Sequence, residues 1–144
     1  MESEARLRVF LDTNVIFSGV SSTGGTTATL IDLAARRAFV VVLSRAVISE
    51  LVNNLQRKAP RSLSAIERFF EASQLEAVRT PPAGAVRLWT ARGLTTDARL
   101  AAAATLAQVD YLCTGDRKLR EVVTASSDGP PVVTPRQLLD LLTL

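Results

Sequence analysis

The sequence predicts an α/β protein in three layers, α/β/α, with a central parallel sheet of four to five strands. Three observations carry that expectation. Short β-rich runs alternate with longer helical stretches, the pattern of βαβ units. The breaks between them are short and rich in turn formers, so they read as loops inside one domain spanning residues 1–144. The segment DARLAAAATLAQ is apolar and alanine-rich nearly all round, which suits a helix lying flat on a sheet.

Strands are expected near Arg8–Leu11, Phe39–Leu43, Leu75–Arg79, Asp110–Cys113 and Pro131–Val133. Between them, Thr26–Arg37 reads as a helix that follows the glycine pair Gly24–Gly25. Ser44 is placed to cap a helix over Arg45–Arg57. Further helices are expected at Ser62–Ala72, Gly84–Ala91, Asp97–Gln108 and Arg136–Leu142. Lys58–Pro60, TPPAG at 80–84 and SSDGPP at 126–131 supply the punctuation. Phe10, Phe39, Phe69 and Phe70 read as core, and Trp89 as packing, which leaves no evident platform for stacking bases.

Composition narrows the chemistry. Histidine is absent, so no Ser/His/Asp triad, His-bound zinc or imidazole base is available. The single cysteine, Cys113, lies in the apolar run YLCTG and reads as a buried thiol in a reducing compartment. No leader-like segment and no apolar run near the length of a membrane span is evident, so a cytoplasmic protein without membrane contact is expected. The net charge is +3, carried by fifteen arginines and only two lysines, a balance that suits phosphate oxygens without requiring them.

Chemistry therefore falls to carboxylates. Of fourteen acids, Glu67, Glu71 and Glu76 look solvated, and four are placed differently. Asp12 closes the first strand in RVFLDTNVIFSG, Asp116 follows the strand DYLCT, Asp97 opens the alanine-rich helix, and Glu50 borders the apolar stripe of RAVISELVNNL. Ligands of open parallel sheets bind outside the carboxyl ends of the strands, where strand order reverses. If the first strand neighbours DYLCT, the four acids converge there. Two such charges about 4 Å apart repel by about 4 kcal/mol at an effective dielectric near 20. A hard divalent cation, Mg²⁺ above all, resolves that repulsion. Taken singly each acid has a plainer reading: Asp97 as a helix-dipole partner, Asp116 as a turn residue, Glu50 as a solvated side chain.

The segments RVFLDTNVIFSG, SRAVISEL, LTTDARLAAAATLAQVDYLCTGDRKL and PVVTPRQLLDLL together resemble the PIN domain family. The likeness is greatest to the VapC-like nucleases, the toxin components of toxin–antitoxin systems, although RKAPRSLSAIERFF is short for that group. The resemblance implies a Mg²⁺- or Mn²⁺-dependent ribonuclease that leaves a 5′-phosphate and a 3′-hydroxyl. It gives catalytic places to Asp12, Glu50, Asp97 and Asp116, with Asp12, Asp97 and Asp116 as metal ligands. Thr13, Asn14 and Thr114 become groups that orient those ligands. It also implies a small antitoxin partner and a homodimer. Arg45, Arg57, Lys58, Arg61, Arg117, Lys118 and Arg120 lie on segments after the site strands and are candidates for RNA phosphate contacts. Two rival readings remain: a catalytically silent PIN-like RNA-binding or scaffold protein, and an aspartate-based Mg²⁺ phosphatase. The second needs DxD, and the third residue here is Asn14.

Overall fold

The computed structural model describes residues 6–144. Five parallel strands form one sheet: β1 (Arg8–Leu11), β2 (Val40–Ser44), β3 (Gln74–Val78), β4 (Tyr111–Cys113) and β5 (Val132–Val133). Their order across the sheet is β3-β2-β1-β4-β5. Each lies within one residue, at either end, of the strand expected from sequence. Every residue of β2 is buried, as is all of β1 beyond Arg8, because helices cover both faces and leave no wet side on which polar residues could alternate.

Eight helices are seen among the described residues: α1 (Thr13–Ser21), α2 (Thr26–Ala35), α3 (Arg45–Lys58), α4 (Pro60–Ala72), α5 (Ala83–Ala91), α6 (Ala98–Leu106), α7 (Arg117–Ala125) and α8 (Pro135–Leu142). Helices α1, α2 and α4 pack on one another, with α8 against α2, while α5 lies on α6 and α6 against β2. The alanine-rich reading of α6 holds: Ala98 and Ala101 to Ala104 are all buried, letting the helix approach the sheet closely.

Helix α5 ends on Gly93, whose φ of +109° is the left-handed conformation that glycine adopts freely. The Gly93 amide bonds Thr90 O and the Leu94 amide bonds Trp89 O, while Leu94 and Trp89 are both buried, the pairing of a Schellman stop. This stop turns the chain toward Asp97 at the start of α6.

Two helices, α1 and α7, were not expected from sequence. In α1 the residues explain why, since TNVIFSGVS is rich in β-branched and small polar residues with weak helix propensity; α7, RKLREVVTA, carries good helix formers from Arg117 to Glu121 and at Ala125, and its helix was open to a reading of the sequence. What starts them is the acid that ends the preceding strand segment. Asp12 Oδ1 accepts a hydrogen bond from the Asn14 amide, and Asp116 Oδ1 accepts one from the Leu119 amide. Each helix then buries a short apolar edge, Val15 and Ile16 in α1, Leu119 and Val123 in α7.

The path of the chain sets the location of any site. From β1 it runs through β2 to the edge strand β3, then crosses back to place β4 on the other side of β1. Strand order reverses between β1 and β4, and the crevice at their carboxyl ends is where such a sheet binds ligands. The pairing there is Leu11 with Cys113, prolonged by the Asp12 amide to Cys113 O at 3.0 Å.

Gly19 lets α1 meet α2: a Cβ at that position would lie 2.7 Å from the Thr27 carbonyl oxygen and would overlap Ile31. Gly19→Ala is therefore expected to destabilise the fold by about 1–3 kcal/mol, the usual range for overpacking. Urea unfolding of the variant checks this, and an unchanged midpoint would show that the helix pair can spread at no cost.

Candidate active site

The carboxyl ends of β1 and β4 bring Asp12 and Thr114 together. Asp12 is 4% exposed and Thr114 fully buried. Thr114 Oγ1 donates to Asp12 Oδ2 at 2.7 Å and accepts from the Asp116 amide at 3.0 Å. A hydroxyl carries one proton, and the Asp116 amide can only donate, so the Thr114 proton is committed to Asp12. With the Asn14 amide on Oδ1 at 3.1 Å, both oxygens of the buried carboxylate are held in fixed directions. Of the three residues expected to orient metal ligands, Thr114 touches Asp12 through its hydroxyl, Asn14 through its backbone amide, and Thr13 lines the adjoining cavity.

Asp97 behaves in the opposite way. It occupies the N-cap position of α6, yet its side chain makes no capping hydrogen bond. Burial first, then the negative charges of Asp12 and Asp116, push its carboxyl above the usual carboxylate range. The plain reading of Asp97 as a helix-dipole partner needs no capping bond and is compatible with its place at the start of α6, while its raised carboxyl reflects burial and its nearness to Asp12 and Asp116.

A cavity of about 660 Å³ opens beside Asp12. Its polar lining comprises Asp12, Thr13, Asn14, Glu50, Asn54, Thr95, Thr96, Asp97 and Arg99, over an apolar floor that includes Val47, Leu51, Val86 and Leu100. A smaller depression of about 290 Å³ lies on the other side of Asp12 and holds Asp116, with Asn14, Thr27 and Pro135. Asp12 and Asn14 border both. Among the described residues, no three acidic or cysteine side chains close into a metal cage. The donor set nevertheless fits a hard cation held by one or two carboxylates and otherwise by water, which is how Mg²⁺ is usually bound. The unrelieved repulsion at Asp97 is the local sign that a cation would be welcome there.

Glu50 reaches the same cavity but is already engaged: Arg99 Nη1 donates to Glu50 Oε1 at 2.5 Å. Both side chains are more than half exposed, 56% for Arg99 and 55% for Glu50, so the pair is worth at most about 1 kcal/mol. Arg99 and Asn54 were missed by the reading of the sequence. The available signal for Arg99 was its place in TDAR, in the first turn of the helix that Asp97 opens.

None of the seven basic residues expected to contact RNA lines this cavity. Arg45, Lys58, Arg61 and Lys118 are exposed on the first or last turns of α3, α4 and α7. Arg57 donates to Asn54 Oδ1, at the far end of the cavity, and Arg117 pairs with Glu121. Arg120 is half-buried, with its Nε enclosed and lacking a hydrogen-bond partner. Cys113 is buried, and burial together with the Asp12 charge pushes its thiol up to about 12, so it stays neutral and has no nucleophilic part. Trp89 packs inside the fold with the Arg92 guanidinium 4.4 Å over its ring. No helix of the described residues is long and apolar enough to cross a membrane.

An open parallel sheet that gathers aspartates at its switch point defines the class of protein. The sequence matches the PIN domain over residues 8–118, and the chain belongs to that family. The match runs from β1 into α7 and includes Asp12, Glu50, Asp97 and Asp116. Two solved structures share the fold. PAE2754 from Pyrobaculum aerophilum is 21% identical with a TM-score of 0.61, over 94% of this chain and 95% of that one. VapBC2 from Rickettsia felis, bound to a DNA fragment from their promoter, is 18% identical with a TM-score of 0.63, over 89% of this chain and 98% of that one. At such identities the likeness is one of fold. No match is found among curated proteins.

Two predictions follow the polar contacts. Thr114→Val keeps the shape but strands Asp12 Oδ2 and the Asp116 amide, and is expected to cost about 1–3 kcal/mol in urea unfolding. Thr114→Ser should restore most of that loss; if Val and Ser variants unfold alike, the hydroxyl is not what holds the strand ends. For Asp97 the sign is that of a carboxyl whose value is raised on folding: its ionisation disfavours the native state. That penalty is complete above the raised value and gone below the ordinary carboxylate range. Asp97→Asn is accordingly expected to melt higher than wild type at neutral pH, with the gap closing as the solution is acidified through that window. A gap that stays constant with pH would remove the charge of Asp97 as its cause.

Proposed function

We propose that this chain is a divalent-metal-dependent ribonuclease that hydrolyses RNA phosphodiester bonds and acts as the toxin of a toxin–antitoxin pair. The observation that carries the reading is the juxtaposition, across one cavity, of an anchored aspartate with one that makes no capping hydrogen bond and whose carboxyl is raised by burial and by Asp12 and Asp116. Membership of the PIN domain family supports nuclease chemistry. RNA as the substrate rests on the resemblance to VapC-like nucleases alone; a small antitoxin as the partner rests on the same resemblance and is in keeping with the fold shared with VapBC2. A homodimer is part of the same reading.

Asp12, Asp97 and Asp116 would hold Mg²⁺ or Mn²⁺. When bound, such an ion supplies Lewis acidity, which activates water for attack on phosphorus and offsets charge on the phosphoryl oxygens. The protein's own contribution is geometric. Thr114 and the Asn14 amide each hold one oxygen of Asp12, which restricts the rotation of a carboxylate that borders both depressions. Asp116 is held by its capping bond to Leu119, and Asp97, with no such bond, keeps its carboxylate uncommitted. Cleavage breaks the bond between phosphorus and the 3′ oxygen, leaving a 3′-hydroxyl and a 5′-phosphate.

The test is cleavage of single-stranded RNA by purified protein. Activity should require Mg²⁺ or Mn²⁺, stop in EDTA, and fall about 100-fold or more in Asp12→Asn, the scale on which fixed electrostatic groups act. Equal cleavage by wild type and Asp12→Asn would take Asp12 out of the mechanism. RNA binding with no cleavage under any divalent ion would replace the nuclease with the RNA-binding scaffold.

A further inference from the structure

We infer that Arg99 is a phosphate-binding residue parked on Glu50, and that RNA competes with Glu50 for its guanidinium. This rests on the ribonuclease reading above and names the group that meets the substrate's charge.

Charge balance within the cavity comes first. Arg99 is its sole basic lining residue, set against the carboxylates of Asp12, Glu50 and Asp97. A phosphodiester entering such a cavity meets net negative charge, and among the described residues the guanidinium that lines it is the one on Glu50, while Arg57 reaches its rim through Asn54. The geometry of the pair comes next. Two other arginines also bridge distant elements, and both use two prongs. Arg8 holds Glu76 through Nε and Nη2, and Arg92 holds Asp128 through Nη1 and Nη2. Arg99 touches Glu50 through Nη1 alone, and no other hydrogen bond of its guanidinium is found among the described residues.

Exposure separates the three pairs in the same way. Arg8 and Arg92 are less than a third exposed, while Arg99 is more than half exposed, where solvent and salt weaken an ion pair. A forked donor held by one prong in water is easily exchanged. The two non-bridging oxygens of a phosphodiester match the whole fork and offer it a better partner. The backbone position favours the same exchange. Arg99 lies two residues beyond Asp97, a spacing at which helical side chains do not face each other, so the guanidinium is free to swing without dragging the Asp97 carboxylate.

The test is a double-mutant cycle on RNA affinity, read by fluorescence anisotropy of a labelled single-stranded RNA in EDTA, where no cleavage occurs. Arg99→Ala should weaken binding about tenfold and flatten the salt dependence by about 0.7 in log–log slope, the share of one single-strand phosphate contact. Glu50→Gln should tighten binding several-fold, because the competitor for Arg99 is gone. In the Arg99→Ala background the same Glu50→Gln change should do nothing. A Glu50→Gln gain of equal size in both backgrounds reflects charge alone and overturns the inference, as does Arg99→Ala binding like wild type. Arg99→Lys, which keeps the charge and loses the fork, should bind between wild type and Ala, and wild-type affinity for it would also count against phosphate recognition by the fork. Failure of the ribonuclease reading would look different: the cycle would behave as stated, yet no divalent ion would support cleavage.

Discussion

The hydrogen bond from the Thr114 hydroxyl to the Asp12 carboxylate ties the ends of β1 and β4, and the other polar groups at that rim are arranged around it. An unpaired carboxylate this deeply enclosed would cost several kcal/mol in lost hydration. Thr114 supplies one offsetting bond, the Asn14 amide another, and the single proton of the hydroxyl is directed by the Asp116 amide behind it. Three segments are thereby locked with one side chain at their junction.

Local structure and charge use the same residues. Asp12 and Asp116 each cap the start of a helix, α1 against its weak propensity, and each remains at the sheet's carboxyl edge. Asp97 is the reverse case, standing at a cap position without capping, its carboxyl raised by burial and by the other two aspartates. Such a concentration of like charge works against folding and is the kind of local conflict that functional sites retain. Among the described residues, Arg99 is the one basic side chain that lines the cavity, and its exposed pairing with Glu50 is loose.

The inner strands β1 and β2 were legible because burial on both faces leaves a short β-branched apolar run bounded by breaks, as in VVVL of β2, whereas the edge strand β3, QLEAV, was marked by its flanking breaks. Most helices were legible from their spacing and breaks. Helix α1 was not, since its residues favour extended or irregular backbone and a cap plus tertiary burial makes it helical; α7, rich in helix formers, was missed although its residues allow it. The acids stood out by position. Their environments did not: nothing local in the sequence distinguishes the pinned Asp12 from the uncapped Asp97, and the pairing of Arg99 with Glu50 spans 49 residues.

By itself the sequence determined that the first strand closes on Asp12 and that Asp116 soon follows the strand DYLCT, that the chain has no histidine and no internal disulfide, and that helices alternate with strands. These are properties of short segments, set by periodicity and composition. Which strand lies beside which was decided only by the tertiary structure. The contact between Thr114 and Asp12 joins residues 102 positions apart, and it exists because the chain crosses back over the sheet to lay β4 against β1. Strand adjacency is settled by competition among long-range pairings, and no local preference encodes it.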